Sequence, residues 1–243
     1  MKRRIFVYGG LLIVAGVAIF FRRDIAREAA PLFQHMRGEA TVSDRVKQYG
    51  DAVRTRLLPA FQKQGIEYPP KRIVLVGLKQ ERSLEVYAAG STDRLQFIRD
   101  YPILAASGKP GPKLREGDQQ VPEGIYRIES LNPNSAYHLS LRLNYPNEFD
   151  RAQARTDGRN GLGGDIMIHG KSASVGCLAM GDEAVEDLFA LVAETGLERV
   201  RVILSPVDFR HRDFPAESPS RLPWTKTLYR QIAAELATLP KSD

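Results

Sequence analysis

The residues of this sequence best suited to covalent chemistry are a cysteine and a histidine that lie eight positions apart. Cys177 is the only cysteine of the chain, and His169 is one of four histidines. A thiol with an ordinary pKa of about 8.5 is only a few per cent ionised at neutral pH, so a nucleophilic cysteine needs a base. An imidazole within hydrogen-bond reach can take the thiol proton and later return it to a leaving amine. The two residue types therefore suit a thiol–imidazole site.

A short apolar run and a loop of small residues would bring the two side chains together. The run 166–168 predicts a buried strand that ends at His169, and the segment 170–176 leads the chain on to Cys177. In the alternative interpretation His169 is a strand-end residue with local hydrogen bonds, and Cys177 is a small buried hydrophobe. Residue types and spacing alone leave both interpretations open.

The turn before Cys177 offers groups that could stabilise a negatively charged oxygen. Backbone N–H groups of Gly176 and Cys177 would donate to an attacked carbonyl as it develops charge, and Gly176 allows a substrate to approach the backbone closely. A lone cysteine excludes an internal disulfide and any multi-cysteine metal site. This chemistry requires neither a metal nor an organic cofactor, and we expect none.

Composition and charge restrict the class of protein. The chain has 243 residues, of which 43% are hydrophobic and 26% charged, enough for one well-packed domain plus an attachment segment. The net charge of +6 favours anionic surfaces such as phospholipid headgroups or acidic wall polymer. The sequence contains neither zinc-finger spacing nor an aromatic–basic RNA-binding pattern, so we predict no nucleic-acid partner.

The N-terminus predicts a membrane-anchoring helix in residues 1–24. The run 5–21 carries no charged side chain and is flanked by basic residues on both sides. A helix of this length spans about 26 Å, close to a hydrocarbon core of about 30 Å, and flanking arginines can snorkel. The small-x-small pattern of a cleavage site is poor, so an uncleaved signal anchor is preferred to a cleaved signal peptide. The excess of basic residues before the run predicts a cytoplasmic N-terminus and an exported, periplasmic remainder.

Hydrophobic periodicity predicts a mainly β (α+β) domain with peripheral helices after a tether and amphipathic helix in 25–68. Helices are predicted from an N-cap at Ser43 to Phe61, after Gly181 as far as Gly196, and over 222–239. Strands are predicted at 73–76, 84–87, 125–128, 137–143 and 198–204, while 93–100 is either helix or strand. Segments 105–120 and 150–164 are predicted to be loops.

The central motif resembles a known family. Ile168-His169-Gly170 followed by Ser174-x-Gly176-Cys177 is similar to the signature of the YkuD-type L,D-transpeptidases, which are wall enzymes with a catalytic cysteine. Their usual pattern has a longer gap, a second histidine where this chain has Val175, and an Arg or Asn shortly after the cysteine. These departures resemble the YafK-like branch of the family.

Other segments extend the resemblance over about Pro69 to Ser205. The resemblance implies a mixed, barrel-like β-sheet in a catalytic domain at 69–210, followed by a helical extension at 211–243. The similar segments are Tyr68-Pro-Pro, Leu84-Glu-Val-Tyr, Val121-Pro-Glu-Gly-Ile-Tyr126, and His138-Leu-Ser-Leu followed by Tyr145-Pro-Asn147.

The resemblance also implies a mechanism. Cys177 would attack the carbonyl at the L-centre of meso-diaminopimelate in a peptidoglycan stem peptide and form a thioester. His169 would act as general base and then acid, with Gly170 and Ser174 helping to orient the site and the amides of Gly176 and Cys177 forming the oxyanion hole.

Five further residues are weaker candidates for binding the stem peptide. The strand 137–143 alternates strictly, and its apolar face carries Tyr137, Leu139, Leu141 and Leu143. His138 and Arg142 share the polar face with Ser140. That face could line the cleft, and a solvated strand face is the alternative. The other three candidates are Tyr145, Asn147 and Lys171.

Three functions stay open at the level of the sequence. The acyl group could pass to an amine, which makes a transpeptidase. It could pass to water, as in YafK-like enzymes thought to cut the bond between an outer-membrane lipoprotein's lysine and peptidoglycan. A third possibility, of another class, is a membrane-anchored wall-binding module without catalysis.

Overall fold

The protein folds around one mixed β-sheet, seen in a computed structural model that describes residues 38–212 and 222–240. These described residues contain four α-helices, nine strands and one 3₁₀ turn at Leu197–Arg199. In chain order the elements are α1 (Val42–Lys63), β1 (Arg72–Leu78), β2 (Ser83–Ala89), β3 (Gln96–Pro102), β4 (Ala105–Ala106), β5 (Gly124–Ser135), β6 (His138–Leu143), α2 (Glu148–Thr156), β7 (Met167–His169), β8 (Leu178–Ala179), α3 (Asp182–Thr195), β9 (Val200–Ser205) and α4 (Thr225–Ala237).

The strands form a half-barrel in the order β3-β2-β1-β9-β5-β6-β7-β8-β4. Strands β1 and β9 run parallel, as do β7 and β8, and every other neighbouring pair is antiparallel. Strand β5 joins the two halves, because residues 124–127 pair with β9 and residues 128–135 pair with β6 through two irregularities of register. Such irregularities bend a strand, and they allow the sheet to curve. The predicted mixed, barrel-like sheet is confirmed.

The 73–76 and 84–87 hairpin is confirmed as β1 and β2, and the ambiguous 93–100 segment contains the start of strand β3. Six of the seven β1 residues are buried, as expected for a central strand covered on both faces. Helix α4 packs on one face of this region, where its apolar stripe of Leu228, Ile232 and Leu236 joins Val74, Val76 and Ile203 of the sheet in one core. The domain boundaries at 68 and 210 stay predictions.

Helix α1 follows the predicted apolar stripe, and Val53, Leu57 and Phe61 are its buried apolar residues. Its start differs from the prediction. Ser43 lies inside the helix, and the residue that caps it is Thr41, whose hydroxyl oxygen accepts a hydrogen bond from the Asp44 amide at 3.1 Å. The Asp44 carboxylate accepts the Thr41 amide in return, which completes a reciprocal capping arrangement.

Helix α2 corrects the prediction that 150–164 is a loop throughout. The side chain of Asn147 accepts from the Asp150 amide, and the Asp150 carboxylate accepts from the Asn147 amide, so a capping box starts the helix. The sequence showed little periodicity here because the helix buries only Ala154. Tyr137 is a second correction, since it precedes β6 and is 48% exposed instead of continuing the apolar face of that strand.

The predicted anchor helix at 5–21 lies outside the described residues. Among helices within 38–212 and 222–240, none combines the length and the apolar composition that a membrane crossing requires.

Candidate active site

Strands β7 and β8 place His169 and Cys177 on the same face of the sheet. They are parallel, with Ile168 opposite Leu178 and His169 opposite Ala179. Cys177 immediately precedes β8 and is therefore level with Met167, two residues before His169. Side chains alternate along a strand, so the imidazole and the thiol are diagonal neighbours on one face of the sheet. The opposite face carries Ile168 and Leu178, which are fully buried and fix this register.

The sulfur of Cys177 is held by the backbone just before β7. Its thiol donates to the Asp165 carbonyl at 3.5 Å, and Sγ accepts the Met167 amide at 3.4 Å. Burial raises the pKa of the Cys177 thiol, and the Asp165 carboxylate raises it further. The Met167 amide and the Lys113 ammonium oppose this rise. At neutral pH the resting protein therefore holds a protonated thiol.

The imidazole of His169 is 3% exposed, and its Nδ1 lies 2.7 Å from the carbonyl oxygen of Gly170. A carbonyl can only accept a hydrogen bond, so Nδ1 carries the proton and Nε2 keeps a free lone pair in the neutral ring. Burial lowers the pKa of His169, and the Gly170 carbonyl partly offsets that effect. His169 is therefore a neutral imidazole whose Nε2 can accept a proton.

The two pKa shifts together disfavour a thiolate–imidazolium pair before substrate arrives. The thiol proton points to the Asp165 carbonyl, so the sulfur has to turn from that oxygen before its proton reaches Nε2 of His169. This arrangement suits a base that takes the proton as the sulfur attacks.

Two glycines are required by the backbone of the site. A Cβ on Gly170 would stand 2.6 Å from Oδ1 of Asp182 and 2.7 Å from the carbonyl oxygen of Tyr137, which no real side chain tolerates. Asp182 is needed there because the same oxygen accepts the Lys171 amide at 2.8 Å. Gly176 has φ +80°, a left-handed conformation that favours glycine.

The two predicted oxyanion amides already have acceptors. The amide of Gly176 donates to Oγ of Ser107 at 2.6 Å, and the amide of Cys177 donates to Oγ of Ser174 at 3.2 Å. A substrate oxygen bound here would take the place of these hydroxyl groups. Ser174, predicted to help orient the site, is thus in contact with the backbone of Cys177.

Ser107 and Lys113 belong to the 105–120 segment, which sequence reasoning treated only as a loop. Strand β4 pairs Ala106 with Leu178, and this antiparallel register brings the next residue, Ser107, opposite Cys177. The hydroxyl of Ser107 also donates to the Gln119 carbonyl at 2.7 Å, so it ties the loop to the site. No short motif in the sequence signals this pairing.

Arg142 of strand β6 lies beside the site, opposite Met167 of strand β7. Its guanidinium contacts the Asp165 carboxylate at 2.9 Å and the Glu129 carboxylate at 3.1 Å, and both acids are largely exposed. Ser140, two residues earlier on the same face, is opposite His169. Its hydroxyl is fully buried and has no hydrogen-bond partner in the described residues. Sequence reasoning placed Ser140 on this polar face, among side chains that could line the cleft.

His138 and Lys171 make contacts outside the His169–Cys177 pair. Nε2 of His138 lies 2.9 Å from the Glu186 carboxylate on α3, and its ring packs edge-on against Tyr49 of α1. The ammonium of Lys171 donates to the Ala136 carbonyl at 2.9 Å. The contacts of His138 connect β6 to α1 and α3, and the contact of Lys171 connects the loop after β7 to the β5–β6 turn.

Tyr145 and Asn147 support the surrounding loops. The Tyr145 ring is buried, and its hydroxyl donates weakly to the Lys113 carbonyl at 3.4 Å and the Leu162 carbonyl at 3.3 Å. Asn147 caps α2, and its side-chain amide donates to the Ile125 carbonyl at 2.9 Å. Across the residues that the structure describes, no group of three or more His, Cys, Asp and Glu side chains could hold a metal ion.

Comparison with known proteins identifies relatives of this sequence. The sequence profile of YkuD, the L,D-transpeptidase catalytic domain, matches residues 71–204. The putative L,D-transpeptidase YafK of Escherichia coli K12 is 34% identical over 140 residues, which cover 56% of this chain and 53% of that protein. The YafK protein of Escherichia coli O157:H7 gives the same values. The chain thus spans about half the length of the curated relatives it matches.

Solved structures give a more distant similarity. Pgp2 of Campylobacter jejuni, a helical cell shape determining protein, is 18% identical, with a TM-score of 0.47 over 70% of this chain and 71% of that one. The YkuD profile covers more than half of the sequence, including His169 and Cys177. This chain belongs to the YkuD family of L,D-transpeptidase catalytic domains.

Proposed function

We propose that this protein is a peptidoglycan-modifying cysteine acyltransferase whose nucleophile is Cys177 and whose base is His169. The observation that carries the proposal is the β7–β8 register, which puts the two side chains on one face with Nε2 of the imidazole free. A buried histidine that merely filled the core would need no neighbouring thiol, and a core cysteine would need no exposed turn around it. Val175, in that turn, is 71% exposed.

The first step forms a thioester. Nε2 of His169 takes the thiol proton while Sγ of Cys177 attacks the carbonyl carbon at the L-centre of meso-diaminopimelate in a stem peptide. The carbon–nitrogen bond then breaks, and the imidazolium returns its proton to the leaving amine. The carbonyl oxygen would accept hydrogen bonds from the amides of Gly176 and Cys177, in place of the serine hydroxyl oxygens. These hydrogen bonds would stabilise the charge that develops in the transition state.

Arg142 is the best placed of the predicted substrate-binding residues. Its guanidinium is 41% exposed and lies next to Asp165, whose carbonyl holds the thiol. A stem-peptide carboxylate could replace one of its two exposed acidic partners, because both are solvated and contribute little to stability. In the second step an amine attacks the thioester carbonyl while Nε2 of His169 takes its proton. The carbon–sulfur bond then breaks, the imidazolium returns the proton to the Cys177 sulfur, and the new amide is a crosslink.

The substrate is located outside the cytoplasm, so we propose that the catalytic domain is periplasmic and tied to the inner membrane by residues 5–21. The uncharged run and its basic flanks support this orientation. Fusion of alkaline phosphatase to the C-terminus tests it, since that reporter is active only after export. Activity of a cytoplasmic reporter alone would contradict the proposal.

Purified sacculi incubated with the full-length protein and with Cys177→Ala provide the main test. New crosslinked muropeptide dimers that are absent with Cys177→Ala would establish transfer. Loss of lipoprotein-bound muropeptides without new dimers would establish hydrolysis with water as the acceptor.

A carbapenem provides a test that is independent of the natural substrate. The β-lactam carbonyl should acylate Cys177 and add its mass to the parent protein but not to Cys177→Ala. The combination of no mass increase and an unchanged wall would favour a non-catalytic wall-binding module.

A further inference from the structure

An aromatic ring that the reaction itself does not use lies against the imidazole of His169. The ring centres of Tyr137 and His169 are 4.6 Å apart, with an angle of 42° between the planes. Tyr137 is 48% exposed, whereas His169 is 3% exposed. An exposed ring against a buried imidazole separates part of that imidazole from water.

The turn that carries Tyr137 is fixed to the residues directly after His169. The ammonium of Lys171 donates to the Ala136 carbonyl at 2.9 Å, and the amide of Tyr137 donates to Oγ of Ser135 at 3.1 Å. Gly170 lies so close to the Tyr137 carbonyl that no Cβ fits between them. The position of the tyrosine ring is therefore coupled to the backbone that sets the imidazole.

We propose that Tyr137 is a positioning residue of the active site, whose ring excludes water from the His169 imidazole and restricts its rotation. The inference rests on the proposed function only in naming His169 as the base. The ring, and not the hydroxyl, performs this role, because the hydroxyl makes no hydrogen bond in the part of the chain that the structure describes.

Burial is the main cause that lowers the pKa of His169, and no charged side chain contributes to that shift. The titratable side chains on the segments that adjoin His169 are the Cys177 thiol beside β8, the Lys171 ammonium in the following loop, the Asp182 carboxylate that accepts the Lys171 amide, and the Tyr137 phenol. Strand β6 presents only the uncharged hydroxyl of Ser140 at the position opposite His169. Removal of the Tyr137 ring would hydrate the imidazolium and move the pKa toward its ordinary value.

The experiment compares Tyr137→Ala with Tyr137→Phe. The pKa of His169 is read by NMR of labelled histidine in a Cys177→Ala background, and it needs no substrate. We expect Tyr137→Ala to raise this pKa by about 0.5–1 unit, and Tyr137→Phe to titrate like the parent because the ring remains. The same pKa in parent and Tyr137→Ala would overturn the proposal, as would a Tyr137→Phe variant that behaves like Tyr137→Ala.

The single cysteine provides a second measurement. The rate at which iodoacetamide alkylates Cys177 is measured by mass spectrometry at a series of pH values. This rate reports how readily His169 receives the thiol proton. Tyr137→Ala should shift the pH profile of alkylation to lower pH, because a more basic His169 takes the thiol proton more readily. Tyr49→Ala, which removes a tyrosine from His138 instead, should not shift it. Lys171→Met keeps the ring but frees the turn, so it should shift the profile in the same direction by a smaller amount. If Tyr137→Ala does not fold, an unchanged Lys171→Met profile counts against the proposal.

These measurements separate the inference from the proposed function. A pKa shift in a protein that leaves sacculi unchanged supports the role of Tyr137 and counts against wall chemistry. If the parent forms crosslinks but the pKa of His169 is unchanged in Tyr137→Ala, the proposed function is supported and the role of Tyr137 is not.

Discussion

Nδ1 of His169 donates to the carbonyl oxygen of Gly170, its neighbour in the chain, at 2.7 Å. The orienting group is thus a backbone oxygen and carries no full negative charge. It sets the tautomer without stabilising the imidazolium as strongly as a carboxylate would. Burial can then keep the resting pKa of His169 low.

The first prediction separates orientation from proton transfer. His169→Asn keeps an N–H that can donate toward the Gly170 carbonyl but has no basic nitrogen. We expect acylation of Cys177 by a carbapenem to slow by about 10²–10⁴-fold, the usual contribution of a general base. Mass spectrometry against time measures the rate, and circular dichroism checks that the fold is retained. A rate within threefold of the parent would show that His169 is not the base.

The second prediction concerns the space around Gly170. Gly170→Ala should lower the free energy of unfolding by about 1–3 kcal/mol, because the added Cβ meets a backbone carbonyl that cannot turn away. Gly164→Ala is the matched control, since its Cβ would meet only the Tyr145 carbonyl at 3.9 Å. Urea unfolding of both variants measures the difference. Equal stability of the two would contradict the steric argument.

A third prediction addresses a buried ion pair that supports the 105–120 loop. The ammonium of Lys79 lies 2.8 Å from the Glu123 carboxylate and also donates to the Gly111 and Val121 carbonyls. Lys79→Met would leave the fully buried carboxylate without its cation, so we expect a loss of about 3–5 kcal/mol in the free energy of unfolding.

The double variant Lys79→Met with Glu123→Gln is the control for that prediction. Neutralising the carboxylate should recover a large part of the loss, even though Glu123 also accepts the Tyr229 hydroxyl at 2.7 Å. If the loss in the double variant equals the sum of the losses in Lys79→Met and Glu123→Gln, the two charges do not interact.

The fourth prediction uses the carboxyl group of Asp150. Burial raises its pKa from 3.8 to about 6, although hydrogen bonds from the Asn147 amide and the Tyr126 hydroxyl oppose the shift. A raised folded-state pKa means that the folded protein binds more protons than the unfolded chain between about pH 4 and pH 6. The contribution of Asp150 to stability is therefore complete below pH 4 and decreases as the pH rises through 6.

Asp150→Asn removes this titration. As the pH rises from 4 to 7, the free energy of unfolding of the variant should increase relative to that of the parent, by at most about 3 kcal/mol. Urea unfolding at both pH values gives the difference between the two proteins. A difference that does not change with pH, or changes in the opposite direction, would contradict the raised pKa.

Much of the fold follows from local sequence patterns. Helix α1 shows its buried stripe directly, and the β1–β2 hairpin follows from two apolar runs around a polar turn. Helix α2 is different, because it is amphipathic without a long apolar stripe and depends on its capping box. Asn147 and Asp150 have the spacing of such a box, so a search for caps would have located the start of this helix.

The site was only partly visible in the sequence. His169 and Cys177 are close in the chain, and their motif resembles that of a family. Ser107 is 70 positions from Cys177, and only the two-residue strand β4 brings it opposite the sulfur. Tyr137 was assigned to the apolar face of β6 by alternation, but the strand begins one residue later. Alternation requires extended backbone, and His138 interrupts it with φ +75°, so the pattern does not reach back to Tyr137.

The parallel pairing of β7 with β8 has a consequence for how such enzymes diverge. What aligns thiol and imidazole is the match of Ile168 with Leu178 and of His169 with Ala179, and neither match depends on the length of the connecting segment. Insertions or deletions at residues 172–173 can therefore accumulate during evolution without displacing Cys177 from His169. They would also leave Ser174 in place as the acceptor of the Cys177 amide. The insertion or deletion of one residue inside either strand would separate the thiol from the imidazole. Selection should accordingly act on strand register and tolerate variation in loop length.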